Sequence, residues 1–536
     1  MQESELTSGI KIIDSKLGTR AQIFQSPEFQ IALGKPATET QGDLIAGTLA
    51  WSGNFQFAFE LDEKNDLRIL AGMNPFASEY ALKPNENFTT PAFIFTYSHE
   101  GKGLASRNMH RWARQYGVLD GTKDRLTLLN NWEATFFNFN EQKLDTLIGT
   151  AKTLGVDLFL LDDGWFGNKY PRKDDTQGLG DWQETKTKLP NGLGHLVQTA
   201  TKEGVKFGIW IEPEMVNPKS ELYEKHRDWV LELPNREPNY YRNQLVLDLT
   251  NPKVQDFVFG VVDGLFTKNP QLGYIKWDCN RMMTNAYSQY LKNQQSHLYI
   301  DYVRGLYKVF ARMRQKYPHV PMMLCSGGGA RVDYGALPYF TEFWASDNTD
   351  AFERVMIQWG YSFFFPSVAV SAHVTNWNKA QSLKFRTDVA WMGRLGYDIR
   401  VDEFTPDELK FSQQAIKDYK RLSDLIWHGD LYRLISPYEQ NRAVVQYVNP
   451  ARTQSLVLAY NLHLRFNEEF TRVRLEGLDP ARRYKVQEIN LMPGAKSAVP
   501  ENGQTYSGDY LMKVGALVSA NNPTPLTSHV LEVSAQ

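Results

Sequence analysis

Gln271–Arg281 reads QLGYIKWDCNR, an apolar lead-in that ends in a lysine, a tryptophan and an aspartate, followed by an asparagine and an arginine. The pattern predicts a β-strand that delivers polar groups at its end. Residues two apart in a strand point the same way, so Lys276 and Asp278 share one side and Trp277 faces the other. A fixed ammonium beside a carboxylate favours its charged form, the state a carboxylate nucleophile needs. Taken alone, the triplet also fits a structural Lys/Asp pair at a strand end. Four more segments run from apolar or aromatic residues into polar ones: VDLFLLDDGWFG (156–167), VKFGIWIEPEM (205–215), VPMMLCSGGGAR (320–331) and YFTEFWASDNTD (339–350). Strands that all end this way predict a parallel barrel whose active site collects at their C-terminal ends.

The rhythm around these segments extends the prediction. TLLNNWEATFF supplies a first strand, and EQKLDTLIGTAKTLG has the apolar spacing of a helix before VDLFLLDDGW. Strand and helix go on alternating through GLGHLVQTATKEGV, NPKVQDFVFGVVDGLFTKN and DYVRGLYKVFARMRQKYP, which predicts a (β/α)8 barrel over residues 116–425. Residues 1–115 read instead as short alternating strands broken by Gly, Pro and Asn, an N-terminal antiparallel β-sandwich joined to the barrel by the helix KGLASRNMHRWARQYG. Beyond 425 the strand pattern returns in HGDLYRLISP, RAVVQYVN, QSLVLAYNL, RVRLEGLD, RRYKVQEINL and HVLEVSAQ, a C-terminal β-sandwich over 426–536.

Composition narrows the function classes. A formal net charge of -2 over 536 residues argues against nucleic acid or a polybasic membrane surface as partner and suits a neutral substrate. The two cysteines, Cys279 and Cys325, provide no disulfide framework and no metal-binding spacing. The opening MQESELTSGIKIID lacks a basic region followed by an apolar one, and no apolar run reaches about eighteen residues, so no membrane anchor is expected. The compartment expected is the cytoplasm, or the periplasm after removal of a leader.

Glycoside hydrolysis needs two carboxyl groups flanking the scissile bond. Asp278 is the candidate nucleophile. Asp347, directly after an apolar strand and in a polar loop, is the candidate acid/base, with Asp350 and Glu353 as competitors. Ser346–Thr349 would equally serve to cap a helix over FERVMIQWGY. Asp162 and Asp163 cannot both lie on one strand face, so at least one occupies the turn that Gly164 allows. They suit sugar hydroxyls, or, with Glu212 and Glu214, a hard cation in a metal-dependent enzyme. Gly327, Gly328 and Gly329 permit a close backbone approach to a ligand or simply a tight turn. Arg242 could reach the cleft or pair with Asp248, Trp182 could form a sugar platform or pack in the core, and His373 and Arg386 read as structural.

LDDGWFG, DW followed by LPNGL, KFGIWIEPEMV, RNQLVLDLTNP, YIKWDCNR, CSGGGAR and WASDNTDAFER, in this order, closely resemble glycoside hydrolase family 36, the microbial α-galactosidases. GTRAQIFQSPEF, WSGNF and GMNPF extend the resemblance to the N-terminal part. It implies a retaining, exo-acting enzyme that removes terminal α-galactose from sugars such as melibiose and raffinose, with Asp278 as nucleophile and Asp347 as acid/base. The sugar-binding positions it implies are Asp162, Asp163, Trp182, Arg242, Lys276, Asn280, Cys325 and Gly328. The Cys-x-x-Gly pattern of Cys325 and Gly328 goes with an unmodified 2-hydroxyl, hence galactose in preference to N-acetylgalactosamine. No cofactor and no metal are implied, and a homo-oligomer is left open. Typical longer members carry a larger N-terminal sandwich, and the resemblance implies that this chain begins inside it. The rival readings are a raffinose-synthase-like galactosyl transferase, an α-N-acetylgalactosaminidase, a metal-dependent barrel enzyme and a silent sugar-binding protein. Retention predicts the two carboxyl groups about 5 to 6 Å apart.

Overall fold

A computed structural model describes residues 3–465, 468 and 472–536. Its centre is a closed barrel of parallel strands, β1 (Leu128–Asn130), β2 (Leu158–Leu161), β3 (Lys206–Ile211), β4 (Leu272–Trp277), β5 (Met322–Leu324), β6 (Glu342–Trp344), β7 (Val370–Thr375) and β8 (Arg394–Asp398). β8 pairs with β1 to complete the ring. The connecting helices start and stop where local chemistry dictates. The Asn140 side chain accepts the Lys143 N–H at the start of helix Glu141–Leu154, which ends at Gly155 in the left-handed region. Asn251 caps helix Pro252–Lys268, with proline in its first turn.

Alternation along the strands divides the apolar residues between two cores. Leu128, Leu158, Leu160, Tyr274, Met323, Cys325 and Trp344 fill the barrel interior. Residues between them, such as Phe159, Ile209, Ile275 and Trp277, join the main core between strands and helices. Trp277 shows the division directly: its ring meets Phe310 of helix Leu298–Lys316 at 5.1 Å, on the side of β4 away from Lys276 and Asp278.

The N-terminal part holds two three-stranded antiparallel sheets. Strands Gly9–Asp14, Phe55–Leu61 and Leu67–Met73 form one; Glu28–Ala32, Leu44–Leu49 and Phe93–Ser98 form the other. Phe29, Phe55, Phe57 and Phe59 share a core with Ile300 and Val303 of a barrel helix. Within this region of short strands, Gly18–Arg20 forms a 3₁₀ turn. The C-terminal strands make one six-stranded antiparallel sheet. One of its faces joins the barrel core, and the other carries a core of its own with Leu475, Leu478, Leu511 and Val518.

Two predicted strands differ in detail. TLLNNWEATFF is a strand only over Leu128–Asn130; the Asn130 side chain then accepts the Trp132 N–H and starts a short helix, Trp132–Thr135. RVRLEGLD buries Val473 and Leu475 but joins no named sheet. Val473 makes an isolated bridge to Ala516, and Leu475 donates to Leu511 O, in a segment that Gly477 turns away with φ 67°.

Candidate active site

Asp278 follows the last residue of β4, at the C-terminal end of the barrel, and is buried. Its carboxylate accepts four hydrogen bonds: Trp210 Nε1 at 3.1 Å and Asn280 Nδ2 at 2.8 Å on Oδ2, and the N–H groups of Cys279 at 2.9 Å and Gly327 at 3.0 Å on Oδ1. Burial by itself pushes this carboxyl up. The Lys276 ammonium, the bonds from Asn280 and Gly327 and the Arg242 charge outweigh it and hold Asp278 below the usual aspartate value. Lys276, two residues earlier on the same face, is kept charged by Asp162, whose Oδ2 accepts from its Nζ at 2.7 Å.

Asp347 lies three residues beyond β6, where water reaches it, with its Oδ1 bonded by Trp344 Nε1 at 3.0 Å. Close packing of protein around it, then the negative charge of Asp278, push its carboxyl above the usual value. The alternative that this segment only caps a helix falls on a different residue. Asp350 is the cap of helix Ala351–Tyr361, accepts the Phe352 and Glu353 N–H groups, and is also bonded by Asn378 and Gln381. The competitor Asp350 is thereby occupied, and Glu353 points to solvent.

The glycine turn after β5 lies between the two acids. Gly327 donates to Asp278, and a methyl group on Gly328, at φ 88°, would sit 3.0 Å from the Asp347 N and 2.8 Å from the Ser346 Cα. The missing side chain is what lets the two loops meet. Cys325 is buried beside them; burial and both aspartates keep its thiol protonated.

The other predicted residues divide. Asn280 holds Asp278, and its Oδ1 is buried without a partner. Arg242 lies in the two-residue turn closed by the Tyr241–Gln244 bridge, just before the strand Leu245–Val246 that pairs with Met215–Val216, within the field of Glu212, Asp278, Asp347 and Asp163. It does not pair with Asp248, which is bonded by Thr250 and Ser288. Trp182 packs in an aromatic cluster, 4.5 Å from Phe166 and 6.3 Å from Trp210 between ring centroids, and its buried indole N–H has no partner. Asp163 is taken up by a bidentate ion pair with buried Arg172, with Nη2 to Oδ2 at 2.7 Å and Nε to Oδ1 at 3.0 Å. The four acids of the metal reading do not converge. Glu214 is committed to Arg331, Trp277 and Tyr302, and Glu212 to Asn280 N and Gln244. Among the described residues no cluster of three or more His, Cys, Asp or Glu has the arrangement of a metal site.

Trp210, Trp344, Arg172 and Arg20 were missed by sequence reasoning. Trp210 and Trp344 stand at inward positions of strands already identified, so strand alternation could have found them. Arg172 and Arg20 come from a loop and from another domain, with no local signal.

Chemically, the arrangement offers one carboxyl group held below its usual value and one pushed above it around a single turn, with a lysine, an arginine and unpartnered polar atoms beside them. Comparisons with known proteins agree across the chain. A model described as Melibiase matches residues 87–429, flanked by the glycosyl hydrolase family 36 N-terminal domain over 1–83 and C-terminal domain over 442–533. Alpha-galactosidase AgaA of Geobacillus stearothermophilus is 37% identical over 96% of this chain and 69% of its own length, and Mel36A of Lactobacillus acidophilus is 35% identical with the same coverage. The crystal structure of AgaA superposes with a TM-score of 0.92 over 99% of this chain and 72% of that one, at 36% identity. With matches along all three of its parts, the chain belongs to glycoside hydrolase family 36, the melibiases.

Proposed function

We propose that the protein is a retaining α-galactosidase that releases terminal α-galactose from galacto-oligosaccharides. The observation that carries this reading is the pair of aspartates on either side of the glycine turn, one held below and one above the usual carboxyl value. Ionised Asp278 attacks the anomeric carbon while protonated Asp347 gives its proton to the departing oxygen. Asp347, left as a carboxylate at the solvent-reached mouth, then takes a proton from the water that releases galactose from Asp278. The oxocarbenium-like transition state loads positive charge next to Asp278, where four donors keep the carboxylate aimed.

Support for the substrate comes from relatives: substituted forms of AgaA have been crystallised with raffinose and with stachyose. Asp162, Asp163, Arg242, Lys276, Asn280, Cys325, Gly328 and the Trp182 indole N–H are assigned to the galactose.

The test is hydrolysis of p-nitrophenyl α-galactoside, melibiose and raffinose, with proton NMR of the first-formed sugar. α-Galactose should appear first and mutarotate later. First release of the β-anomer would overturn retention, and no galactose from any of the three would overturn the activity. A transferase would build larger oligosaccharides instead of freeing galactose.

A further inference from the structure

The 3₁₀ turn Gly18–Arg20 leaves the N-terminal domain and enters the barrel mouth. Its rear is fixed to its own domain, since Gly18 N–H donates to Asn54 Oδ1 at 2.7 Å. Its front meets the loops after β4 and β5. The Thr19 hydroxyl donates to Arg281 O, Leu17 O accepts from Met283 N at 2.9 Å, and Gln22 N donates to Ala330 O at 2.9 Å. Arg20, only 9% exposed, donates from Nε to Ser326 O at 3.0 Å, from Nη2 to Gly327 O at 3.3 Å and from Nη1 to Asn280 O at 3.4 Å.

Two of these acceptors belong to residues that hold Asp278 directly, Asn280 through its amide and Gly327 through its N–H. The approach is close: a methyl group on Gly327 would lie 2.6 Å from Arg20 Nη2 and 2.9 Å from Asn280 Oδ1. Among the described residues, no carboxylate lies within ion-pair distance of Arg20. The buried guanidinium is therefore held by backbone carbonyls and not by an ion pair.

We infer that Arg20 is a positioning residue by which the N-terminal domain sets the aim of the Asp278 carboxylate, its planar fork tying the Asn280 and Gly327 loops into one unit. A lysine could reach one carbonyl but could not span three. The inference rests on the α-galactosidase reading, and the experiment separates the two.

Parent, Arg20→Lys, Arg20→Gln and Arg20→Ala chains are assayed on p-nitrophenyl α-galactoside across pH, with circular dichroism and thermal melting to establish folding. Folded variants should lose kcat on the order of tenfold to a hundredfold with KM within about twofold, because an attacking group is misaimed while substrate contacts stay. Their acidic limb should move to higher pH. Lys276 and Arg242 favour the Asp278 anion, Glu212, Asp347 and Cys325 oppose it, and none of these is altered; because Arg20→Lys also keeps the positive charge that Arg20→Gln and Arg20→Ala remove, the shift in Arg20→Lys is the one that reports weakened Asn280 and Gly327 bonds. Millimolar guanidinium should restore part of the kcat of Arg20→Ala and none of that of Asp278→Ala. Unchanged kcat and acidic limb in the folded variants would overturn the inference, as would failure of all three to fold, which would make Arg20 a fold determinant. An inactive parent would instead sink the proposed activity.

Discussion

Asp278 and Asp347 carry the same side chain, and their division of labour comes entirely from their surroundings. Four donors and the Lys276 ammonium draw the proton off Asp278, whereas Asp347 has one indole N–H and a neighbouring negative charge. Because Asp347 supplies a proton only where the leaving group needs one, Asp347→Ala should depress raffinose hydrolysis by on the order of 10²- to 10⁴-fold and cleavage of a dinitrophenyl galactoside far less, compared by initial rates. Lys276 lowers both acids. The reaction needs Asp278 ionised, which sets the acidic limb of kcat/KM, and Asp347 protonated, which sets the basic limb. Lys276→Met should therefore carry both limbs of the bell to higher pH as well as reducing its height, and a limb that stays in place in the pH profile would contradict the assignment.

The glycine turn after β5 is the element on which the site converges. It bonds Asp278 on one side, leaves no room for a side chain against Asp347 on the other, and carries the carbonyls that Arg20 grips. Gly328→Ala adds a methyl group against the Ser346–Asp347 backbone and places alanine at φ 88°. The expected outcome is a loss of kcat on the order of a hundredfold, measured on the aryl galactoside, together with a stability loss of about 1 to 3 kcal/mol by denaturant titration. SGGGAR was legible in the sequence as a tight turn or a ligand cradle, but which glycine meets which acid depends on β4, β5 and β6 lying side by side. Asp163 was likewise legible as a candidate site residue at the end of β2. Its bidentate partner Arg172 was not, because the intervening loop has no periodicity from which its path can be read.

At the scale of the whole molecule, the three parts are joined by buried polar contacts as well as apolar ones. Asp388, on a barrel helix and fully buried, accepts from Ser528 at 2.6 Å and from Asn490 of the C-terminal sheet region, and its backbone oxygen accepts from Tyr460. Asp388→Ala leaves Ser528, Asn490 and Lys384 without their acceptor and should cost about 3 to 5 kcal/mol, read as a lower unfolding midpoint and as earlier proteolytic release of the C-terminal part. The sequence by itself determined the barrel, the flanking β-domains, the two candidate acids and the strand face that Asp278 shares with Lys276, because hydrophobic periodicity and the residue types at strand ends are local properties. Only the tertiary structure decided that Asp350 is a helix cap, that Arg172 claims Asp163, that two indoles hold the two acids and that Arg20 reaches the loops holding Asp278 from another domain. Hydrogen-bond partners and proton affinities depend on which groups burial brings within about 3 Å, and that proximity between residues hundreds of positions apart is written in no short stretch of the chain.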